Sequence, residues 1–206
     1  MKRATLVEYD VAPGDVQTIY DEIMETLGSQ DIPNVFKALG NNENVLRAVW
    51  SMLRNTLVEG EIPALLKELI LFRISVQAGN EYCRSLHAHA ACRLDSTLKY
   101  DDLKALSDGE ALPRLPASYQ VALDIVSRAA LKPKTVANDD FELEEELRDA
   151  GFSEREIDEL LAVGYFAVMM NTVTDSYDIP WDAPYPPETS LAGTTTRSRP
   201  ESASDC

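Results

Sequence analysis

The chain has 206 residues, 45% of them apolar, which suits one domain with a buried core, or one domain and a tail. Nineteen Lys and Arg stand against thirty-five Asp and Glu, a net charge of −16. That balance repels a phosphate backbone and an anionic bilayer alike, so neither nucleic acid nor membrane is an expected partner.

Residues 1–8 carry two basic side chains but no apolar run of signal-peptide length. The first helical pattern is Val16, Ile19, Tyr20, Ile23, Met24 and Leu27, with Gly28 as its stop. Leu46, Val49, Trp50, Leu53 and Leu57 repeat it and end at Gly60. Pro63 is placed to open the next helix, which runs to Gly79, and another follows over 81–94. The stretch 62–78 is the longest nearly apolar one, yet Lys67, Glu68, Arg73 and Gln77 interrupt it, so it is no membrane span. Further helices are expected between Pro116 and Pro133, over 139–150, and over 157–174 behind the capping box Ser153-Glu154-Arg155-Glu156. No hairpin signal is present, and the expected fold class is all-α.

From Ile179 the composition changes to Pro, Ser, Thr, Asp and Gly, with Trp181 and Tyr185 the only large apolar groups. The expectation is a domain over 1–178 and a partly disordered tail over 179–206, too poor in apolar surface to offset its ordering entropy. Trp181 and Tyr185 are its candidate docking groups. The cysteines are Cys83, Cys92 and Cys206. An odd number, in a chain that needs no disulfide scaffold, points to reduced thiols and a cytoplasmic setting.

Residues 63–94 read PALLKELILFRISVQAGNEYCRSLHAHAACRL. Gly79 suits a helix end and Asn80 the N-cap of the next helix, which puts Cys83 at the third helical position. The positive end of the helix dipole lowers the pKa of a thiol there. His87 follows one turn later on the same face, as a base or partner for the thiol. Glu68 lies on the preceding helix, in an apolar stripe where a buried carboxylate needs a partner. A straight chain would hold it about 22 Å from Cys83, so the chemistry requires a fold-back at Gly79-Asn80. The ordinary alternatives are a small buried hydrophobe for Cys83, a core histidine for His87, and for Glu68 an ion pair with Arg47, Arg54 or Arg73. His89 and Cys92 face away from Cys83 and His87, so one helix does not converge the four on a metal, and none is expected.

This segment resembles the alkylhydroperoxidase-like / carboxymuconolactone decarboxylase family. Its redox-active members carry a glutamate, a C-x-x-C pair and a histidine four residues after the second cysteine. Glu68, Cys83 and His87 match the glutamate, the second cysteine and the histidine; Asn80 replaces the first cysteine. Tyr82 stands where some members have histidine. Ile32-Pro33-Asn34-Val35-Phe36 and residues 147–153, LRDAGFS, also look like the peroxidase-related branch, and the likeness spans about 30–178.

The resemblance implies an AhpD-like helical domain and a homo-oligomer; no organic cofactor is expected, as no glycine-rich phosphate loop appears. As a peroxidase-like oxidoreductase, the chain would use Cys83 as the peroxidatic nucleophile, His87 as base and Glu68 as the group that orients it. Without the first cysteine an external thiol would clear the sulfenic acid. Cys92 is no substitute, being about 13 Å along the same helix and beyond disulfide reach. Two other readings stay open. One is a carboxymuconolactone decarboxylase-like lyase acting on a small organic acid through Glu68 and His87, which charge-binding arginines in the pocket would favour. The other is an inactive oligomeric binding module.

Overall fold

The computed structural model describes residues 4–132 and 140–182. Among them all regular structure is helical, as the periodicity leads one to expect. The α-helices are α1 (Gly14–Leu27), α2 (Asn34–Leu39), α3 (Glu43–Leu53), α4 (Ala64–Ala78), α5 (Glu81–Leu94), α6 (Tyr100–Ser107), α7 (Ala117–Leu131), α8 (Asp140–Asp149) and α9 (Glu154–Ser176).

Helix α4 is the hub. It packs against α5, α7 and α9 and touches α6. Its residues from Leu69 to Ser75 are all buried, Arg73 and Ser75 among them, so it is enclosed around its whole circumference rather than along one stripe. The one cation in its first turns, Lys67, is 2% exposed. Its ammonium meets Glu159 of α9 at 2.5 Å and the Glu59 carbonyl at 2.5 Å. Burial works to raise the Glu159 pKa. Lys67 and the backbone N–H groups of Glu61 and Ile62 outweigh it and leave this carboxyl below its usual value.

The caps follow the residues expected of them. Gly28 and Gly79 close α1 and α4 in the left-handed conformation at φ 59° and 71°. Pro63 sits one position earlier than expected, at the N-cap of α4. Ser153 and Glu156 form the reciprocal capping box of α9: the Ser153 N–H donates to Glu156 Oε2 at 2.7 Å and the Glu156 N–H to Ser153 Oγ at 3.3 Å. Two helices escape a periodicity reading. α2 is only six residues long, and α6 is eight, with mixed acidic and apolar residues. After α3 the chain makes a π-helical turn over Arg54–Val58, a distortion common beside functional sites.

The ordered body runs past the compositional break at Ile179. That residue is buried. The Asn34 side chain donates to the carbonyls of Pro180 and Trp181 at 3.2 and 3.1 Å, and the Asn34 N–H donates to Asp182 at 2.7 Å. Residues 179–182 thus fold back over the start of α2. Tyr185 and the rest of the expected tail lie outside the described residues.

Helices α7 and α9 cross where α9 has no side chain. A Cβ built on Gly164 would stand 2.6 Å from Val126 Cγ1 and 3.4 Å from Ala130 Cβ. Alanine is the better helix former by about 1 kcal/mol, but overpacking costs about 1–3 kcal/mol. Because Val126 is fully buried and stiff at χ1, the clash should win. Gly164→Ala is expected to lower the urea midpoint, by about 1 kcal/mol of stability; a raised midpoint would show that the two helices do not meet so closely.

Candidate active site

The reversal at Gly79-Asn80 brings α4 and α5 into one antiparallel pair, and the separation of Glu68 from His87 collapses. Glu68 Oε2 and His87 Nδ1 lie 2.7 Å apart. The pair is mostly buried, with 19% of the Glu68 side chain and 10% of the His87 side chain exposed. Glu68 therefore has a partner other than the arginines considered for it. Arg47 instead pairs with Glu43, Arg54 with Glu22 and Arg73 with Asp124.

Asn80 sets the position of Cys83. Its Oδ1 accepts the Cys83 N–H at 2.7 Å, the N-cap bond expected from the sequence. Its Nδ2 faces α9, 3.1 Å from the Asn171 carbonyl, 2.8 Å from Thr174 Oγ1 and 2.8 Å from Asp175 Oδ1. One amide caps α5 and ties it to α9. Asn80 is thus a fully engaged structural group three residues before Cys83.

Cys83 is 3% exposed, and its Sγ lies 3.5 Å from Thr174 Oγ1. Here the structure corrects the sequence reading, which expects a lowered thiol pKa. Burial pushes the Cys83 thiol up to about 12; the Thr174 hydroxyl works in the opposite direction and Asp175 adds to the rise. The desolvation of a thiolate thus exceeds whatever the helix start contributes. Cys83 and Cys92 are both free thiols.

Tyr82 points to the returning C-terminal segment and donates its hydroxyl to Asp182 Oδ2. Burial raises both groups, the phenol well above its ordinary value and the carboxyl above its own, although the Tyr82 hydroxyl and the Asn34 N–H pull Asp182 back down. Tyr82 thus fastens residues 179–182 over the site.

Glu68, Tyr82, Cys83 and His87 line one cavity of about 270 Å³. Its other walls are mainly apolar: Val35 and Phe36 of α2, Leu53, Leu57 and Val58 around the π-turn, and Phe166 and Met170 of α9. An outer cleft of about 660 Å³ shares Ser29, Pro33 and Arg93 with it. His89 lines this outer cleft, apart from the inner cavity, as its place on the helix implies. Among the described residues no cluster of His, Cys, Asp and Glu is arranged to hold a metal, and no helix is long and apolar enough to cross a membrane.

Sequence reasoning missed the α9 contribution. Asn171, Thr174 and Asp175 recur at helical spacing on one face of a largely apolar helix, and that polar stripe is a readable signal. Asp182 has none, because nothing local marks which residue of an irregular segment returns to the core.

Solved structures with the same architecture exist. An uncharacterized peroxidase-related protein from Silicibacter sp. TM1040 is 26% identical, over 84% of this chain and 87% of that one, with a TM-score of 0.69. The fold is AhpD-like. A second peroxidase-related protein, from Ralstonia eutropha JMP134, is described as an alkylhydroperoxidase AhpD core and is 20% identical. It aligns over 89% of this chain and 93% of that one, with a TM-score of 0.74. The debrominase Bmp8, in a cysteine-to-alanine form in complex with 2,3,4-tribromopyrrole, is 22% identical over 87% of this chain and 91% of that one, with a TM-score of 0.72. No family model matches the sequence, and no curated protein does. These neighbours are of the kind that the resemblance of residues 63–94 implies.

The buried thiol has a consequence for stability. Its ordinary pKa is 9.0 and its folded value about 12. A folded value above the unfolded one means that the contribution is intact below about pH 9 and lost as pH rises toward 12, by about 1.4 kcal/mol per pH unit. Between about pH 8 and 10.5, urea denaturation should show wild type losing about 1–2 kcal/mol more than Cys83→Ala. The tyrosine contributions cancel in that difference. Parallel losses in the two proteins would mean that Cys83 is not held neutral.

Proposed function

We propose that the protein is a peroxidase-like oxidoreductase, in which Cys83 reduces a small organic hydroperoxide and an external thiol completes the cycle. The observation that carries this reading is the convergence of Cys83 with the His87–Glu68 pair, bonded at 2.7 Å, on one apolar cavity. A solved debrominase of this fold in complex with a small halogenated pyrrole supports taking the cavity as a site for small apolar molecules.

The chemistry follows from a thiol that rests protonated. Cys83 and His87 line the same cavity, one helical turn apart on α5. His87, oriented by Glu68, takes the thiol proton as Sγ attacks the terminal peroxide oxygen. The O–O bond breaks, the sulfur keeps the hydroxyl as a sulfenic acid, and the departing alkoxide recovers the proton from His87. One external thiol then forms a mixed disulfide and releases water. A second thiol frees Cys83 and leaves as the oxidised disulfide. No cofactor enters this cycle. The burial that holds the thiol neutral also shields it from adventitious oxidation until a substrate enters. The protein is proposed to work in the cytoplasm as a homo-oligomer, a reading supported by the family resemblance and by exposed apolar groups such as Leu94 and Tyr165.

Two observations favour a second reading. With the thiol pushed up to about 12 and the carboxylate–imidazole pair already formed, Glu68 and His87 suit acid–base chemistry on a small organic acid, without the sulfur, and Arg93 in the cavity lining is the kind of charge-binding arginine that this reading expects.

Cumene hydroperoxide separates the two. The first reading expects a sulfenic acid trapped at Cys83 and not at Cys92, and peroxide consumption abolished by Cys83→Ser. Cys92→Ser should be silent. Glu68→Gln should slow turnover by about 10- to 100-fold, since it keeps the shape and removes the charge that orients His87. A folded protein whose Cys83 resists both peroxide and alkylation sinks the peroxidase reading and leaves the acid–base one.

A further inference from the structure

Arg93 lies on the face of α5 that carries the site. Cys83, Leu86, His87, Ala90 and Arg93 follow each other at steps of three, one, three and three, and all line the inner cavity. Among the described residues Arg93 is the only cationic side chain in that lining apart from whatever charge His87 carries. It also lines the outer cleft, so it stands where the two spaces join. Its position is six residues beyond His87, about 9 Å along the axis, and ten beyond Cys83, about 15 Å. Side chains on a helix lean toward its N-terminus, so the Arg93 stem reaches back toward the site.

The surrounding charges bear on what belongs there. Glu68 is engaged by His87 and Asp182 by Tyr82 and the Asn34 N–H. Lys37, in the outer cleft, is paired with Glu8 at 2.7 Å. Asp31 is exposed at the cleft edge, where water screens it. Arg93 is itself exposed at this rim, and among the described residues no ion pair forms with it. Its guanidinium stands between an outer cleft that also holds Asp31 and Asp182 and an inner cavity with mainly apolar walls.

The geometry points to an amphipathic monocarboxylate as the substrate class: an apolar body in the inner cavity, with its reacting group toward Cys83 and its carboxylate on Arg93 at the mouth. This inference rests on the proposed function and narrows it, from hydroperoxides in general to those borne on the apolar part of an organic acid. A carboxylate several carbons from the reacting atom matches the rise from Cys83 and His87 to Arg93. The guanidinium fork takes both carboxylate oxygens and fixes the depth to which the apolar body enters. Arg93 is thus a specificity-determining residue for the same site.

Octanoate and octanamide test it, since they differ only in the head group. Calorimetric titration of the wild-type protein should give octanoate the lower Kd by about tenfold, the scale of one charge-assisted contact. Arg93→Gln should bring the ratio of the two constants close to one, and Arg93→Lys should keep part of the preference, as a point charge without the fork. Raised salt should shrink the wild-type ratio. Equal affinities in wild type, or binding of neither probe, overturns the inference, and so does a ratio that survives in Arg93→Gln. Sulfenic acid trapping at Cys83 with cumene hydroperoxide, which carries no carboxylate, reads the proposed function independently. Trapping without a carboxylate preference would leave the peroxidase standing and remove the role of Arg93. A preference without trapping would do the reverse.

Discussion

The reversal between α4 and α5 holds the site together. Gly79 takes the left-handed conformation that ends α4, and the Asn80 carboxamide oxygen caps α5 through the Cys83 N–H. The other end of the same amide binds α9. One side chain therefore fixes the turn, the start of the helix that carries the thiol, and the distance of that helix from its neighbour. Without the turn, Glu68 and His87 would sit on one rod at opposite ends. With it they share a hydrogen bond.

Asn80 also bears on the chemistry. Three residues before Cys83, this chain has an amide that is buried and bonded on both sides. The residue is part of the scaffold, so the peroxidase cycle proposed above depends on an outside thiol rather than on an internal disulfide. The same scaffold holds Cys83 against Thr174 in a dry place. Burial there opposes ionisation more strongly than the helix start favours it, and the proton must be removed when a substrate is present rather than beforehand. The His87–Glu68 pair on the cavity wall is suited to that task.

The C-terminal segment completes the enclosure. Tyr82 holds Asp182, Asp182 holds the Asn34 N–H, and Asn34 holds the carbonyls of Pro180 and Trp181. Three elements distant in sequence thus meet at the edge of the site, over the junction between the inner cavity and the outer cleft.

Much of this is legible in the order of the amino acids. Apolar spacing marks α1 and α3, Pro63 and Gly79 bracket α4, Pro116 and Pro133 bracket α7, and a capping box marks the start of α9. Glycine and asparagine mark the reversal, because only certain residues end and begin helices. The order Glu68, Cys83, His87 marks the site through its resemblance to a family. The short helices α2 and α6 are not legible, since six or eight residues give too few repeats of a 3.6-residue period. Nor is the state of the thiol. A helix start is a local feature and shows in the sequence. Desolvation depends on what the far helices place around the sulfur, and α4 and α9 are the helices that pack against α5. Local pattern thus yields an all-helical chain with a capped reversal and three candidate groups on two adjacent helices. Packing was needed to bring the carboxylate to the imidazole, to bury the thiol in its neutral form and to return Asp182 to Tyr82, because these depend on contacts between residues far apart in the chain.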